Sequence, residues 1–137
     1  MTDNRLVDVL GDYCHIDGPH TDDTATDASA SLSELVRYLN HATIGRNPWP
    51  WAATTHRVVG GLSATVYGME QLVRQLAQVL ETQAKDATLY DDRHDRPGAQ
   101  TAAAAAEELR TLRPLIQQLA AQLDAVCGCT VHLGNND

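Results

Sequence analysis

Residues 55–83 read THRVVGGLSATVYGMEQLVRQLAQVLETQ, and the periodicity of this stretch decides the fold. Thr55, Leu62, Met69, Leu76 and Gln83 recur every seven residues, and Val58, Thr65, Leu72 and Val79 form a companion set at the same spacing. A strand alternates with period two; a repeat of seven with two apolar positions belongs to a helix that packs along its length. Val59, Val66, Val73 and Leu80 lie beside these sets and widen the stripe. About 28 residues obey the rule, which predicts a rod of roughly 40 Å at 1.5 Å per residue. Gly60, Gly61 and Gly68 interrupt it. Each costs up to ~1 kcal/mol against alanine in a helix, which points to a close backbone neighbour or a kink at Gly60-Gly61.

A second periodic stretch follows at 99–126. Ala102, Leu109, Ile116 and Leu123 make one set, and Ala105, Leu112, Leu119 and Val126 the other. Its first half, Ala102–Ala106, is thin enough for something bulky to press on it, and a ligand pocket opposite Gly60, Gly61 and Gly68 is one such arrangement. Pro114 falls on the outward side of this register, and Gly128 is placed to stop the helix. Between the two stretches, residues 85–98 (KDATLYDDRHDRPG) form a charged turn that neutralises itself. The expectation is a long antiparallel helical hairpin.

Upstream, residues 5–13 are apolar but too short to separate a two-turn helix from a strand. Residues 17–31 (DGPHTDDTATDASAS) are small, polar and acidic, and read as a flexible linker. Ser31 and Glu34 have capping-box spacing, and Leu32, Leu35, Val36 and Leu39 then form one helical stripe that ends near Gly45. Asn47-Pro48-Trp49-Pro50-Trp51 is a corner that no helix crosses, with Pro50 suited to the first turn of the helix after it. The domain reading is therefore an N-terminal segment and linker at 1–31, a helical bundle at 32–128, and a short β-leaning tail at 129–137. The fold class is all-α. Two long helices do not bury stripes this wide on each other, and the helix at 32–44 covers only part of one side. The leftover width predicts a homodimer completing a four- to six-helix bundle, self-associating through Leu62, Met69, Leu72, Leu76, Leu109, Leu112, Ile116 and Leu119.

Composition narrows the function classes. The chain has 137 residues and a net charge of −8, with six aromatic residues and no phenylalanine. The linker carries four Asp without Lys or Arg, so it holds half of that charge. The ten basic residues are scattered, whereas nucleic-acid binding needs them clustered against phosphates. No apolar run approaches the ~20 residues that span a bilayer, and no apolar segment suited to a signal peptide follows Met1. A cytoplasmic protein with reduced thiols, no membrane partner and no nucleic-acid partner is expected.

Three groups of residues are candidates for chemistry. Cys14, His15 and His20 near one terminus, and Cys127, Cys129 and His132 near the other, are ligand types that tetrahedral zinc accepts. Their spacing departs from the two-residue knuckle, and the competing readings are incidental thiols or a Cys14–Cys127 or Cys14–Cys129 disulfide, which a reducing compartment disfavours, with zinc the only cofactor in view. Trp49 and Trp51 are candidates for a partner-binding patch, against the alternative that they cap a core otherwise short of aromatics. His41 and His56 read as surface histidines, and Asp91, Asp92, His94 and Asp95 alternate with Arg93 and Arg96 rather than forming a cation site. No nucleophile motif or phosphate loop is present, so no catalytic residue is assigned and no enzyme is expected.

The segment Tyr38-Leu39-Asn40-His41-Ala42-Thr43, the Pro/Trp corner and Val58-Val59-Gly60-Gly61-Leu62 together resemble uncharacterised small α-helical proteins of actinobacteria. The likeness spans roughly residues 32–127. It implies a helical fold and a bacterial cytoplasm and carries no activity. The hairpin invites comparison with the WXG100 proteins, but their Trp-x-Gly turn is replaced here by Asp91-Asp92-Arg93-His94-Asp95-Arg96-Pro97-Gly98. The expected function is a non-enzymatic interaction or accessory module that self-associates. The alternative is a small ligand- or zinc-binding helical protein.

Overall fold

A computed structural model describes residues 5–46 and 48–136, so Asn47 of the Pro/Trp corner lies outside the described residues. The described residues form four helices and no strand: α1 (Arg5–Tyr13), α2 (Asp22–Ala42), α3 (Ala52–Gln83) and α4 (Gly98–Thr130). The chain divides into two compact units, residues 1–50 and 51–137.

In the first unit the ambiguous segment is helical, as α1. From Asp22 onward the acidic stretch read as a linker is the first half of α2. Its start is Thr21, whose hydroxyl accepts from the Thr24 amide while the Thr24 hydroxyl accepts from the Thr21 amide. Asp22 and Asp23 occupy the first turn, where the exposed N–H groups favour negative charge. Alanines 25, 28 and 30 then carry the helix forward. Ser31 is not a cap at all: its hydroxyl donates to the Asp27 carbonyl one turn back, at 2.7 Å. Glu34 reaches forward to Arg37 at 3.6 Å instead of back to Ser31. α1 meets α2 through the Tyr13 hydroxyl, which donates to Asp27 at 2.6 Å, and Leu6, Leu10, Ala30 and Leu35 line the groove between them. No residue of either helix is buried.

The second unit is the antiparallel hairpin, α3 on α4. Its seam consists of Val59, Ser63, Val66, Glu70, Val73, Ala77 and Leu80 from α3, all buried or half-buried. From α4 it takes Ala102, Ala106, Leu109, Ile116, Ala120, Leu123, Cys127 and Thr130. Steps of three and four residues, with one of seven across Arg113 in α4, put these on one stripe of each helix. The centre of the core is Val66, Val73, Ile116 and Ala120, with Leu109 and Leu123 packed against it. The α3 seam is thus the flanking set Val59, Val66, Val73 and Leu80 together with Ser63, Glu70 and Ala77. The two sets on which the seven-residue repeat was read face elsewhere.

Polar pairs fix the register. Glu70 accepts from Arg113 Nε at 2.8 Å and from Gln117 at 3.1 Å in the middle of the seam. At the open end, His56 and Thr130 bond at 2.8 Å, and Asn135 accepts from the Ala52 amide at 2.8 Å. The C-terminal tail therefore supplies the cap that Trp51, the α3 N-cap, does not. Pro50 precedes that cap and is not in the first turn. α4 runs through Gly128 to Thr130 before it stops, so the tail begins later than its composition suggests. Pro114 is exposed within a continuous helix. Gly60, Gly61 and Gly68 meet nothing within 4 Å of an added Cβ, and α3 continues through them.

Candidate functional site

The positions flanking the hairpin seam differ sharply between its two sides. In an antiparallel pair the residues following the seam on one helix meet those following it on the other, and the same holds for those preceding it. On the first side the register brings Tyr67 to Asp124 and Glu81 to Arg110. Ser63 adds a bond to Asp124 at 3.3 Å, and Arg110 a second carboxylate, Glu107, at 2.8 Å. The Asp124 carboxylate holds the Tyr67 hydroxyl above its ordinary pKa by accepting its hydrogen bond and placing a negative charge beside it. Polar groups close this edge.

The opposite side is apolar and open. α3 contributes Leu62, Met69 and Leu76, bordered by Val58, Thr65, Leu72 and Val79; α4 contributes Ala105, Leu112, Leu119 and Val126, bordered by Glu108, Leu115 and Gln122. Leu72 is 45% exposed, Leu119 50% and Leu115 60%. Among these positions and their borders only Glu108 carries charge. The face runs about 32–38 Å along helices about 10 Å wide, which makes roughly 700 Å². Contiguous apolar patches beyond a few hundred Å² mark interaction sites on soluble proteins.

The residues expected to self-associate therefore divide. Leu62, Met69, Leu72, Leu76, Leu112 and Leu119 lie on the open face. Ile116 does not: it is 8% exposed at the centre of the intramolecular core, and Leu109 is half-buried beside it. A seven-residue repeat shared by adjacent stripes hides which stripe is used inside the hairpin.

The expected ligand pocket is not formed. Ala102 and Ala106 are buried in the seam against the C-terminal half of α3, while Gly60, Gly61 and Gly68 lie toward its N-terminal half with open space beside them. Among the described residues no group of three or more His, Cys, Asp or Glu side chains is placed to hold a metal ion. Cys127 and Cys129 both sit on α4, two residues apart, so their side chains leave the helix in diverging directions. His132 is exposed beyond the helix end. In the first unit, His15 Nδ1 accepts from the Asp17 amide at 3.2 Å, and His20 Nε2 bonds the Ile16 carbonyl at 2.8 Å; Cys14 is half-buried. All three cysteines are free thiols.

Trp49 is half-buried, and Trp51, at the start of α3, is 58% exposed. His56 is half-buried against Thr130 rather than a surface group.

The turn holds the residue that sequence reasoning passed over. Asp91 is buried, where a solvated turn was expected. Its carboxylate accepts from the Arg93 amide at 3.0 Å, from Arg93 Nε at 3.0 Å and its terminal nitrogen at 2.6 Å, and from the Thr101 hydroxyl. Arg96 stands 3.6 Å away. Thr101 is in the first turn of α4, so Asp91 ties the loop to the helix it precedes. Tyr90 bridges to Pro97 and stacks on His94, whose φ of 55° is left-handed. The signal was available as an acid two residues before an arginine in a turn, but charge alternation alone does not reveal burial.

The Arg93 guanidinium, then the Thr101 hydroxyl and the Arg93 amide, hold the Asp91 carboxyl far below the usual carboxylate range. A group depressed in the folded state stabilises above its unfolded pKa, near 3.9, and loses that contribution as pH falls below it. Thermal unfolding followed by circular dichroism should show the midpoint falling steeply below about pH 4. Asp91→Asn should lower the midpoint by about 5–10 °C at neutral pH and flatten the acid limb. An unchanged acid limb would remove Asp91 from this role.

Comparison of the chain with protein-family models, with curated proteins and with solved structures finds no match in any of the three.

Proposed function

We propose that this chain is a non-enzymatic helical interaction or accessory module that acts by self-association, with its partner surface on the hairpin. The observation that carries the reading is the apolar face of roughly 700 Å², charged only at Glu108 on its border, beside a seam already closed on its other edge by ion pairs and hydrogen bonds. A helical face of this kind binds other helices, because side chains at three- and four-residue spacing interdigitate with a like pattern. Trp51, exposed at the start of α3, extends the recognition surface for a further protein partner, with Trp49 preceding it. The resemblance to small helical actinobacterial proteins agrees with a bacterial cytoplasmic module. No described helix is long and apolar enough to cross a membrane.

Sedimentation equilibrium of the full chain at micromolar concentration tests the reading. Twice the chain mass is expected, and the mass of one chain would end the self-association account.

A further inference from the structure

Resting on that reading, we infer that the occupant of the open face is a second copy of this chain, docked so that α3 of one copy lies on α4 of the other with both turns at the same end. Levels along the hairpin carry the inference. The register set by Tyr67–Asp124, Glu70–Gln117 and Glu81–Arg110 puts Leu62 level with Val126, Met69 with Leu119, and Leu76 with Leu112. On the borders it puts Leu72 level with Leu115, Thr65 with Gln122, and Val79 with Glu108 near the turn end of the face.

A two-fold axis lying in the face and parallel to the helices exchanges α3 with α4 while preserving level. Each residue then meets the residue that is already its neighbour across the hairpin, contributed by the partner copy. Large apolar meets large apolar at the three central levels, Leu72 meets Leu115, and the hydroxyl of Thr65 meets the amide of Gln122; only Glu108, which meets Val79 on the border near the turn end, departs from the match. Self-complementarity at matched levels is what an isologous interface demands. The other two-fold axis in the face, across the helices, pairs each helix with its own copy in reverse. Centred on Met69, it sets Thr65 against an apolar level and Leu115 against the region of Gln122.

Area and charge point the same way. Roughly 700 Å² per copy is close to the ~800 Å² that each partner contributes to a stable interface. The face is nearly uncharged on a chain of net charge −8, so two acidic copies meet where they do not repel. An oppositely charged partner finds nothing there to recognise.

A charge-rescue series on the full chain tests this arrangement. Leu72→Glu should remain folded, since the side chain is half-exposed within one copy, and should raise the dimer dissociation constant on the order of a hundredfold by burying an unpaired charge. Leu115→Glu, on a still more exposed side chain, should do the same from the other helix. Leu72→Glu combined with Leu115→Arg should recover at least about tenfold of the lost affinity, because the two new charges meet across the interface twice while standing on opposite borders of the face within each copy. Sedimentation gives the constants and circular dichroism the folded state. If both single substitutions dissociate the dimer but the combination does not recover it, the side-by-side arrangement is overturned and self-association stands. If Leu72→Glu and Leu115→Glu stay folded and fully dimeric, this is not the interface. A wild-type monomer overturns both the arrangement and the reading it rests on, and leaves the face to a different helical partner.

Discussion

Gly98→Ala should strongly destabilise this chain. A Cβ at position 98 lands 2.7 Å from the carbonyl carbon and oxygen of Leu89 and 2.8 Å from the Tyr90 Cα. Those are backbone atoms, so no side chain can swing aside to make room. The glycine opens α4 at the point where the turn crosses its first residues, and the Tyr90–Pro97 bridge and the Asp91–Thr101 bond hold the crossing from both sides. Relief requires the turn to lift off the helix. Overpacking of this kind costs about 1–3 kcal/mol, with the upper end expected against rigid backbone. For a hairpin unit of this size that is a fall of about 10–20 °C in midpoint. Gly61→Ala and Gly68→Ala are the matched controls, since nothing stands within 4 Å of either Cβ. They should be neutral or stabilising by up to ~1 kcal/mol, because the helix keeps its geometry and gains propensity. A wild-type midpoint for Gly98→Ala would show that the turn is not seated on α4.

The contrast among glycines marks where sequence reasoning carried and where it failed. That residues 55–83 and 99–126 form a helical hairpin is legible, because a seven-residue apolar repeat over four turns or more has no strand alternative. The close approach assigned to Gly60, Gly61 and Gly68 belongs instead to Gly98, which looked like ordinary turn punctuation. A glycine that admits a backbone and a glycine that merely weakens a helix carry the same letter. What separates them is a tertiary crossing, and the local pattern does not encode it.

The beginning of α2 was hidden for a different reason. Residues 22–31 have no large apolar side chain, so periodicity gives no signal there. The helix is specified by its start instead, through Thr21 and Thr24 capping one another and two aspartates in the first turn. A search for Ser or Thr followed by Glu or Gln finds Ser31–Glu34 and passes over Thr21–Thr24, which satisfies the same two donors with hydroxyls. The candidate site was legible in outline for a related cause. Leu62, Met69, Leu72 and Leu76 carry the repeat, and the repeat places them on one stripe. Whether that stripe faces α4 or solvent turns on one residue of rotation, about 100° around the helix, and the polar pairs Glu70–Arg113 and Tyr67–Asp124 decide it.

That rotation gives a second large prediction, because Ile116 and Leu119 belong to one apparent seam in the sequence and to two surfaces in the structure. Ile116 is 8% exposed among Val66, Val73 and Ala120. The core it completes is rich in alanine and has no aromatic residue to slump into a gap, so truncation leaves a cavity that the helices are poorly able to fill. Ile116→Ala should therefore cost about 2–4 kcal/mol. The loss should appear at every protein concentration, since the contact lies within one chain. Leu119→Ala removes a side chain of similar size that is half-exposed in a single copy. Its cost to the isolated hairpin should stay below about 1 kcal/mol. In a dimer it loses a buried contact twice, and unfolding is coupled to dissociation, so its deficit should depend on concentration. Denaturant melts of both variants at two concentrations a hundredfold apart separate the cases. Parallel behaviour of the two variants would mean that both residues face the same surface, and the assignment of the seam to Val66, Val73 and Ile116 would have to be abandoned.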